Sequence, residues 1–277
     1  MRHFKNLVKP YLVWSALMIV VPLFMIFMYA VTKSGNSLLN ISFTLDNFIK
    51  IFDPVYISVF IKSIKLGIIT VVICTVLGYL LAYIITRFSE KAQSVLILVV
   101  TIPTWINMLL RTYAWISILS DNGIINSFLA KFNISPVAMM YSDFSVILGL
   151  TCNFLPFMII PIHTALHKMD KSLIEAAYDL GANTAQTFWR IIFKLSLPGV
   201  VNGVIMVFLL SVSTFVIPKL LGGGQYVLIG NLIENQFVSV GDWNFGSAIS
   251  LILATIILMV IRLMKRLDSD EAKEGKK

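Results

Sequence analysis

The amino-acid sequence predicts an all-α integral membrane protein with six transmembrane helices. Apolar residues make up 58% of the chain and charged residues only 13%, whereas a soluble domain carries about 25% charged residues. The apolar residues also fall into blocks of about 20 residues, the length that an α-helix needs to cross a bilayer. A single globular core could not bury so much apolar surface, so the sequence indicates a chain covered by lipid.

The six apolar blocks are separated by polar segments that contain charges, prolines or glycines. The predicted transmembrane helices cover residues 11–32, 59–86, 94–119, 144–166, 197–218 and 245–263. The first block follows basic residues, as a signal peptide does. It is too long for one, however, and it has no small-residue cleavage site near Ala30, so it is interpreted as a retained helix.

Short helices are predicted outside the apolar blocks as well. Thr44 is placed to cap a helix over 45–52, which Asp53-Pro54 would end. A longer polar segment, 167–198, contains the pattern of a capping box at Ser172 and Glu175.

The same polar segment contains a second helix signal. Gly181 is suited to end the first helix in a left-handed turn, and Asn183 or Thr184 can cap the next. Ala177 and Gly181 are four residues apart, which predicts a smooth surface that another protein could approach closely. Ser196 and Pro198 are expected to begin the fifth span.

The lysines and arginines predict the orientation of the chain. The side that holds both termini carries Arg2, Lys5, Lys9, Arg87, Lys91, Lys168, Lys171, Arg190, Lys194, Arg262, Lys265, Arg266, Lys273, Lys276 and Lys277. The opposite side carries only Lys33, Lys50, Lys62, Lys65, Lys131 and Lys219. Positive charge favours the cytoplasmic side, so both termini and the segment 167–196 are predicted to be cytoplasmic.

Several spans contain groups that are unusual in hydrocarbon. The prolines and polar side chains at membrane depth are Pro103, Pro156, Pro161, Asn107, Arg111, Asn153 and Asn202. Interrupted helices and buried polar groups need protein neighbours or a water-filled cavity, which favours a transport pathway. The alternative is that each proline merely kinks a packed helix.

The polar segment also carries a family resemblance. Its residues Glu175-Ala176-Ala177, Gly181-Ala182 and Leu197-Pro198-Gly199 resemble the "EAA" loop of type I ABC importer permeases. The resemblance implies that fold, with a cytoplasmic loop that docks into a groove of an ATPase. The docking residues that it implies are Glu175, Ala176, Ala177, Asp179, Leu180, Gly181 and Ala182.

One residue of the loop departs from the family pattern. Lys194 stands where the family usually has proline, so the local shape before the fifth span is left open. Glu175 could serve only to cap its own helix, but capping and docking are compatible.

Other runs resemble one subgroup, the first permease subunit of spermidine/putrescine importers. They read FTLDNF, DPVY, IPTWINMLLRTYAW, LLGGGQYVLIGNLI and DWNFGSA. The resemblance divides the chain into an N-terminal helix with an extracytoplasmic interfacial segment (1–58), a permease core (59–263) and a charged cytoplasmic tail (264–277). Permeases for sulfate, molybdate or ferric iron share the scaffold, so these solutes remain alternatives.

The resemblance also implies partners. They are two copies of a cytoplasmic ABC ATPase, a second homologous permease and an extracytoplasmic substrate-binding protein, assembled in a bacterial plasma membrane. No G-x-x-x-x-G-K-[ST] phosphate loop is present, so ATP and Mg would be used by the partner ATPase and this chain would bind no cofactor.

A passive channel, an intramembrane enzyme and a nucleic-acid-binding protein are the alternatives to this interpretation. A passive channel would not need a docking loop, and an intramembrane enzyme would need a catalytic pair that the spans do not offer. The net charge of +8 is attributed to the loops that flank the spans rather than to nucleic-acid binding.

Carboxylates and aromatic rings suit a multivalent cation such as a polyamine. The candidate residues of the solute path are Trp105, Arg111, Tyr113, Asp121, Asp143, Asp242 and Trp243. Arg111 could act as a gate, but a structural pair with Asp121 or Asp143 is favoured. Asp242 could contact an ammonium group or could cap the sixth span.

No metal site or disulfide is expected. His163 and His167 lie four residues apart, but no third ligand accompanies them. Cys74 and Cys152 both lie inside apolar blocks, which favours two small buried residues.

Overall fold

The computed structural model describes residues 2–33, 42–224 and 226–274, and the regular secondary structure of this part is helical throughout. The long helices are α1 (Arg2–Ala30), α3 (Pro54–Ile85), α7 (Asp143–His167), α10 (Phe193–Ser213) and α13 (Trp243–Glu274). The shorter helices are α2 (Asp46–Ile49), α4 (Glu90–Trp105), α5 (Met108–Leu119), α6 (Ile124–Ala130), α8 (Ser172–Asp179), α9 (Thr184–Thr187), α11 (Val216–Leu221) and α12 (Ile229–Asn235).

Within the described ranges, five helices are long and apolar enough to cross a membrane, and a bent helix pair can count as a sixth. The chain divides into two compact units. The first comprises Met1–Phe60 and Ile229–Ile257, and the second comprises Ile61–Leu228 and Leu258–Lys277.

In the first unit, two asparagines hold the C-terminal end of α1. Asn47 Nδ2 donates hydrogen bonds to the carbonyls of Ala30 and Thr32, at 2.9 and 3.0 Å. Asn244 Nδ2 donates to the carbonyls of Tyr29 and Thr32, at 2.9 and 2.8 Å. The last carbonyls of a helix have no partner within it, so these side chains supply hydrogen bonds to carbonyls at the end of α1 and just beyond it.

The second unit is built around the packing of α7 against α10. Leu150, Met158 and Ile162 of α7 are fully buried. Gly199 and Gly203 of α10 face α7 so closely that a Cβ atom would lie 2.6 Å from the Pro161 carbonyl oxygen and 2.5 Å from Met158 Sδ, respectively. Small residues at this spacing allow two helix backbones to approach closely.

The third predicted span, 94–119, is not one straight helix. α4 ends at Trp105 and α5 begins at Met108, and the pair is bent by 90°. The break lies at Asn107, whose Oδ1 accepts the Leu109 N–H at 2.8 Å and so caps α5. Pro103 lies within α4, before the break. The bend therefore follows from a capping residue in mid-span.

The predicted start of the fifth span at residue 197 is wrong. α9 continues through five residues of π-helix, Phe188–Ile192, into α10, so the second short helix of the loop and the fifth span form one helix over Thr184–Ser213. α11 is separate from it. Pro198 lies inside α10 and does not begin a helix.

The structure also differs from the prediction in the segment after α1 and at the C-terminal end of the chain. Thr44 Oγ1 accepts the Asp46 N–H at 3.1 Å, but the N-cap residue of α2 is Leu45 and no side chain caps the helix there, so the predicted cap is wrong by one residue. α2 is followed by a 3₁₀ turn, Lys50–Phe52. α13 extends to Glu274, well beyond the predicted end at residue 263. Residues 275–277 of the predicted tail lie outside the described residues.

Candidate docking loop and solute-contact residues

The loop that resembles the "EAA" segment begins with a cap that the sequence pattern missed. Asp170 Oδ1 accepts the Ser172 N–H at 2.9 Å, whereas the predicted capping box of Ser172 and Glu175 is absent at the start of α8. Hydrogen bonds from the backbone and side chain of Ser172 lower the pKa of Asp170 below its usual value. The chain already has helical backbone angles at Lys171. The side chain that caps α8 is therefore that of the preceding residue, Asp170, and not that of Ser172.

The turn after α8 has the predicted left-handed geometry. Gly181 has φ +81°, and its N–H donates to the Tyr178 carbonyl at 2.9 Å. Asn183 then caps α9: its Oδ1 accepts the Gln186 N–H at 2.8 Å, and Gln186 Oε1 accepts the Asn183 N–H at 3.0 Å. The loop therefore has a helix, a glycine turn and a second capped helix, in the predicted order.

The outer surface of the loop is partly apolar. Leu180 is 89% exposed, and Leu173 and Tyr178 are also exposed. Glu175, Ala176, Asp179 and Gly181 are exposed too, and Ala182 is half-buried. Ala177 is only 7% exposed, so the expectation that Ala177 and Gly181 form one outward surface is wrong. Ala177 packs against its own unit, because α8 is amphipathic and buries that side.

An aromatic cluster joins the loop to α3. The ring of Phe188, in the π-helical segment, lies edge-on to Tyr79 and Tyr83 at 5.8 and 5.5 Å between centroids. The Tyr79 hydroxyl is 2.9 Å from Ser196 Oγ. No prediction from the sequence included this cluster, although the spacing of Tyr79 and Tyr83 by four residues puts both rings on one side of α3.

Arg111 does not form the ion pair with Asp121 or Asp143 that was predicted from the sequence. Its side chain is half-buried, and the structure gives it no ion pair with Asp121 or Asp143 in the part of the chain that is described. Arg111 Nε is buried without a hydrogen-bond partner there. The predicted structural pair is therefore wrong, because Asp143 interacts with a different cation.

That cation is Lys62, which lies on α3. Lys62 Nζ is 3.6 Å from Asp143 Oδ1 and 3.7 Å from the centroid of the Tyr226 ring. The Tyr226 hydroxyl donates a 2.6 Å hydrogen bond to the same carboxylate oxygen. Burial, and after it the hydrogen bond to Asp143, raises the pKa of Tyr226 above its ordinary value, so the phenol stays protonated.

Asp242 caps the last helix. Its Oδ1 accepts the Phe245 N–H at 3.0 Å, and its Oδ2 is 3.7 Å from Lys50 Nζ. The Lys50 ammonium also lies 4.3 Å from the Phe245 ring centroid. Trp243 packs near Tyr29, at 6.1 Å between ring centroids. Of the two interpretations of Asp242, the capping geometry is the one that this structure contains.

Comparison with known proteins places this geometry in a family. Residues 74–272 match the family described as "Binding-protein-dependent transport system inner membrane component". The chain belongs to this family. The predicted permease subunit is thereby confirmed, as a multi-pass membrane protein of the inner membrane.

The sequence of this inner membrane component is 36% identical over 267 residues to the spermidine/putrescine transport system permease protein PotB of Salmonella typhimurium (strain SL1344), covering 95% of this chain and 93% of the relative. Its fold resembles a chain of a bacterial ABC transporter that imports the acidic polysaccharide alginate, with a TM-score of 0.80, 16% identity, and coverage of 96% and 95%. A second structure, that transporter in complex with an alginate pentasaccharide-bound periplasmic protein, matches with a TM-score of 0.79, 16% identity, and coverage of 96% and 94%. The predicted type I ABC permease fold is confirmed.

In the part of the chain that the structure describes, no hydrogen bond, ion pair or ring contact joins the remaining candidates, Trp105, Tyr113 and Asp121, to one another. Trp105 and Tyr113 have exposed side chains, and Asp121 is exposed as well. An exposed aromatic side chain on a membrane protein is suited to contact lipid or a partner subunit.

The two histidines of the permease bind a glutamine rather than forming part of a metal cluster. The rings of His163 and His167 stack with centroids 5.7 Å apart, and each has a nitrogen within 3.2 Å of Gln93 Oε1. Among the described residues, no group of three or more metal-binding side chains is present.

Replacing Asp242 separates its capping role from its charge. Asp242→Asn keeps a cap and is expected to retain solute uptake close to that of the parent, whereas Asp242→Ala should lose about 1 kcal/mol of stability. The thermal midpoint of the purified protein and uptake per folded protein measure the two effects. Lys50→Met is the matched control for the loss of the ion pair. Loss of uptake in folded Asp242→Asn, but not in Lys50→Met, would show that the carboxylate contacts substrate.

Proposed function

We propose that this permease carries polyamines such as spermidine and putrescine, as part of an ATP-driven importer. The single observation that supports this substrate is the 36% identity over 95% of the chain to a spermidine/putrescine permease. The likeness to the alginate transporter, at 16% identity, supports the fold and not the substrate.

The proposed ATPase contact is the surface of Leu173, Tyr178 and Leu180 on α8 and its turn. Leu180 is 89% exposed, so none of the residues that the structure describes covers its side chain. Docking of a partner would remove this apolar surface from water, which is favourable at about 25 cal/mol per Å². After the turn at Gly181, the chain continues as one helix over Thr184–Ser213, which offers a mechanical path from the ATPase contact to the fifth span.

The assembly that we infer contains two copies of the ATPase, which would use ATP and Mg, a second permease and a substrate-binding protein. The family description itself names dependence on a binding protein, and a structural neighbour was solved with a periplasmic protein bound. A permease without a phosphate loop depends on other subunits for hydrolysis.

We propose that both termini face the cytoplasm, because basic residues are concentrated on their side of the spans. A cysteine placed at Ser127 is then expected to react with an impermeant maleimide from outside the cell. A cysteine placed at Ser269 is expected to react only after the membrane is permeabilised. Labelling of the Ser269→Cys protein in intact cells would contradict this orientation.

Reconstitution of the whole importer tests the proposed function. The complex in proteoliposomes, with its binding protein and internal ATP, is expected to accumulate radiolabelled spermidine or putrescine, and uptake should stop when ATP is replaced by a non-hydrolysable analogue. Sulfate, molybdate and ferric iron are the matched alternative solutes. Transport of one of these without polyamine uptake would overturn the substrate and leave the permease assignment in place.

A further inference from the structure

In the second unit, a lysine side chain of the protein itself places its ammonium group where α3, α7 and the segment after α11 meet. The Lys62 ammonium lies against the Asp143 carboxylate at 3.6 Å and over the Tyr226 ring at 3.7 Å. A carboxylate and an aromatic face are the two protein groups that attract an ammonium most directly. This cluster of Lys62, Asp143 and Tyr226 is called the ammonium cluster below.

The carboxylate in the ammonium cluster is not needed to cap a helix. α7 is capped by Ser142, whose Oγ accepts the Ser145 N–H at 3.3 Å. Asp242 differs in this respect, since its carboxylate caps α13. The Asp143 side chain is also 57% exposed, against 26% for Asp242, so solvent and solutes reach it.

The Lys62 ammonium is held loosely enough to leave. Its side chain is 42% exposed, and an exposed ion pair is weak because water screens it. The Tyr226 hydroxyl donates its hydrogen bond to the Asp143 carboxylate itself and not to Lys62, so this bond does not require the Lys62 ammonium. Withdrawal of Lys62 would therefore leave a carboxylate and a ring already oriented for another ammonium.

We propose that Asp143 and Tyr226 form a binding site for one ammonium group of the polyamine, and that Lys62 occupies this site until substrate displaces it. The proposal rests on the proposed polyamine substrate. Primary ammonium is the chemical group that the lysine side chain and the ends of a polyamine share, so the substrate can take over both contacts of Lys62.

The surroundings of the site leave room for the rest of the substrate. A cavity of about 570 Å³ adjoins Tyr226 and is lined also by Tyr141, Lys219 and Gly222–Gly224. The Asp143 side chain is 57% exposed, so the rest of the substrate would extend from the exposed side of Asp143.

While the Lys62 side chain occupies the site, a polyamine cannot bind there. The apparent affinity for the polyamine is therefore reduced by the fraction of time that Lys62 has withdrawn. Removing the Lys62 ammonium should therefore strengthen polyamine binding. Weak ion-pair and cation–π contacts of the usual size correspond to an improvement of about fivefold.

The test measures binding of radiolabelled spermidine by equilibrium dialysis to the assembled complex in nanodiscs, without the binding protein. Lys62→Met is expected to lower the dissociation constant about fivefold. Asp143→Asn is expected to raise it by more than fivefold. Lys65→Met is the matched control, because Lys65 lies on the same helix, is exposed and loses the same charge without vacating the site. Thermal midpoints identify variants that do not fold, and Lys62→Gln replaces Lys62→Met if that variant is among them.

Three results would overturn the proposal. The first is an equal change in Lys62→Met and Lys65→Met, which would indicate only a long-range effect of charge. The second is weaker binding in folded Lys62→Met, which would make the ammonium cluster a structural latch. The third is no binding by any variant at millimolar spermidine. Uptake by the parent importer is measured separately, so loss of the site assignment can be told apart from loss of the polyamine function.

Discussion

Gly181→Val is expected to reduce coupled transport on the order of tenfold, because valine at a left-handed backbone position costs about 1–2 kcal/mol. Gly181 has φ +81°, and apart from its chain neighbours no described residue has an atom within 4 Å of the place where a Cβ would lie. The effect must therefore come from the backbone turn and not from a clash inside the permease. A changed turn would redirect Leu180, the most exposed residue of the proposed ATPase contact.

The matched control for this change is Gly181→Asn. Asparagine tolerates the left-handed region better than other side chains, so this variant should keep most of the uptake and most of the substrate-stimulated ATP hydrolysis. Membrane insertion of both variants should equal that of the parent, since no span is altered. Full coupled activity in Gly181→Val would remove the support for docking through this turn.

Gly199→Val is expected to destabilise the permease by about 1–3 kcal/mol or to prevent its folding, because an extra side chain would force α7 and α10 apart. A Cβ at residue 199 would lie 2.6 Å from the Pro161 carbonyl oxygen and 2.7 Å from Ala165 Cβ. A backbone oxygen in a helix cannot turn away as a flexible side chain can. The measurement is the thermal midpoint and the monodisperse fraction of the detergent-purified protein.

Gly224→Val supplies the control for Gly199→Val. The same side chain is added there, but apart from the chain neighbours no residue that the structure describes lies within 4 Å of the new Cβ, so the thermal midpoint should stay close to that of the parent. If the two variants were equally stable, the close approach of α7 and α10 would not be what stabilises the second unit.

Local sequence patterns were sufficient to predict most helices and the turn of the loop that resembles the "EAA" segment. Spans appear as long apolar blocks, because the bilayer requires them. The left-handed turn at Gly181 and the cap at Asn183 depend on residues within a few positions of each other. The helix that begins at Thr184 was predicted too short, because Pro198 reads as a helix start even where a helix is already continuous.

Contacts between distant residues could not be read from the same patterns. The sequence offered Arg111 two acidic partners, but only the packing of α3 near the start of α7 decides that Asp143 interacts with Lys62. The burial of Ala177 likewise depends on which side of α8 meets the rest of its unit.

The sequence by itself thus determined that this chain is a membrane permease with a loop of two short helices joined by a glycine turn. Only the tertiary structure decided where its charges pair and which small residues lie at helix contacts. The reason is physical: hydropathy and capping act within one helix or turn, whereas an ion pair or a close helix approach is set by the position of a second helix in space.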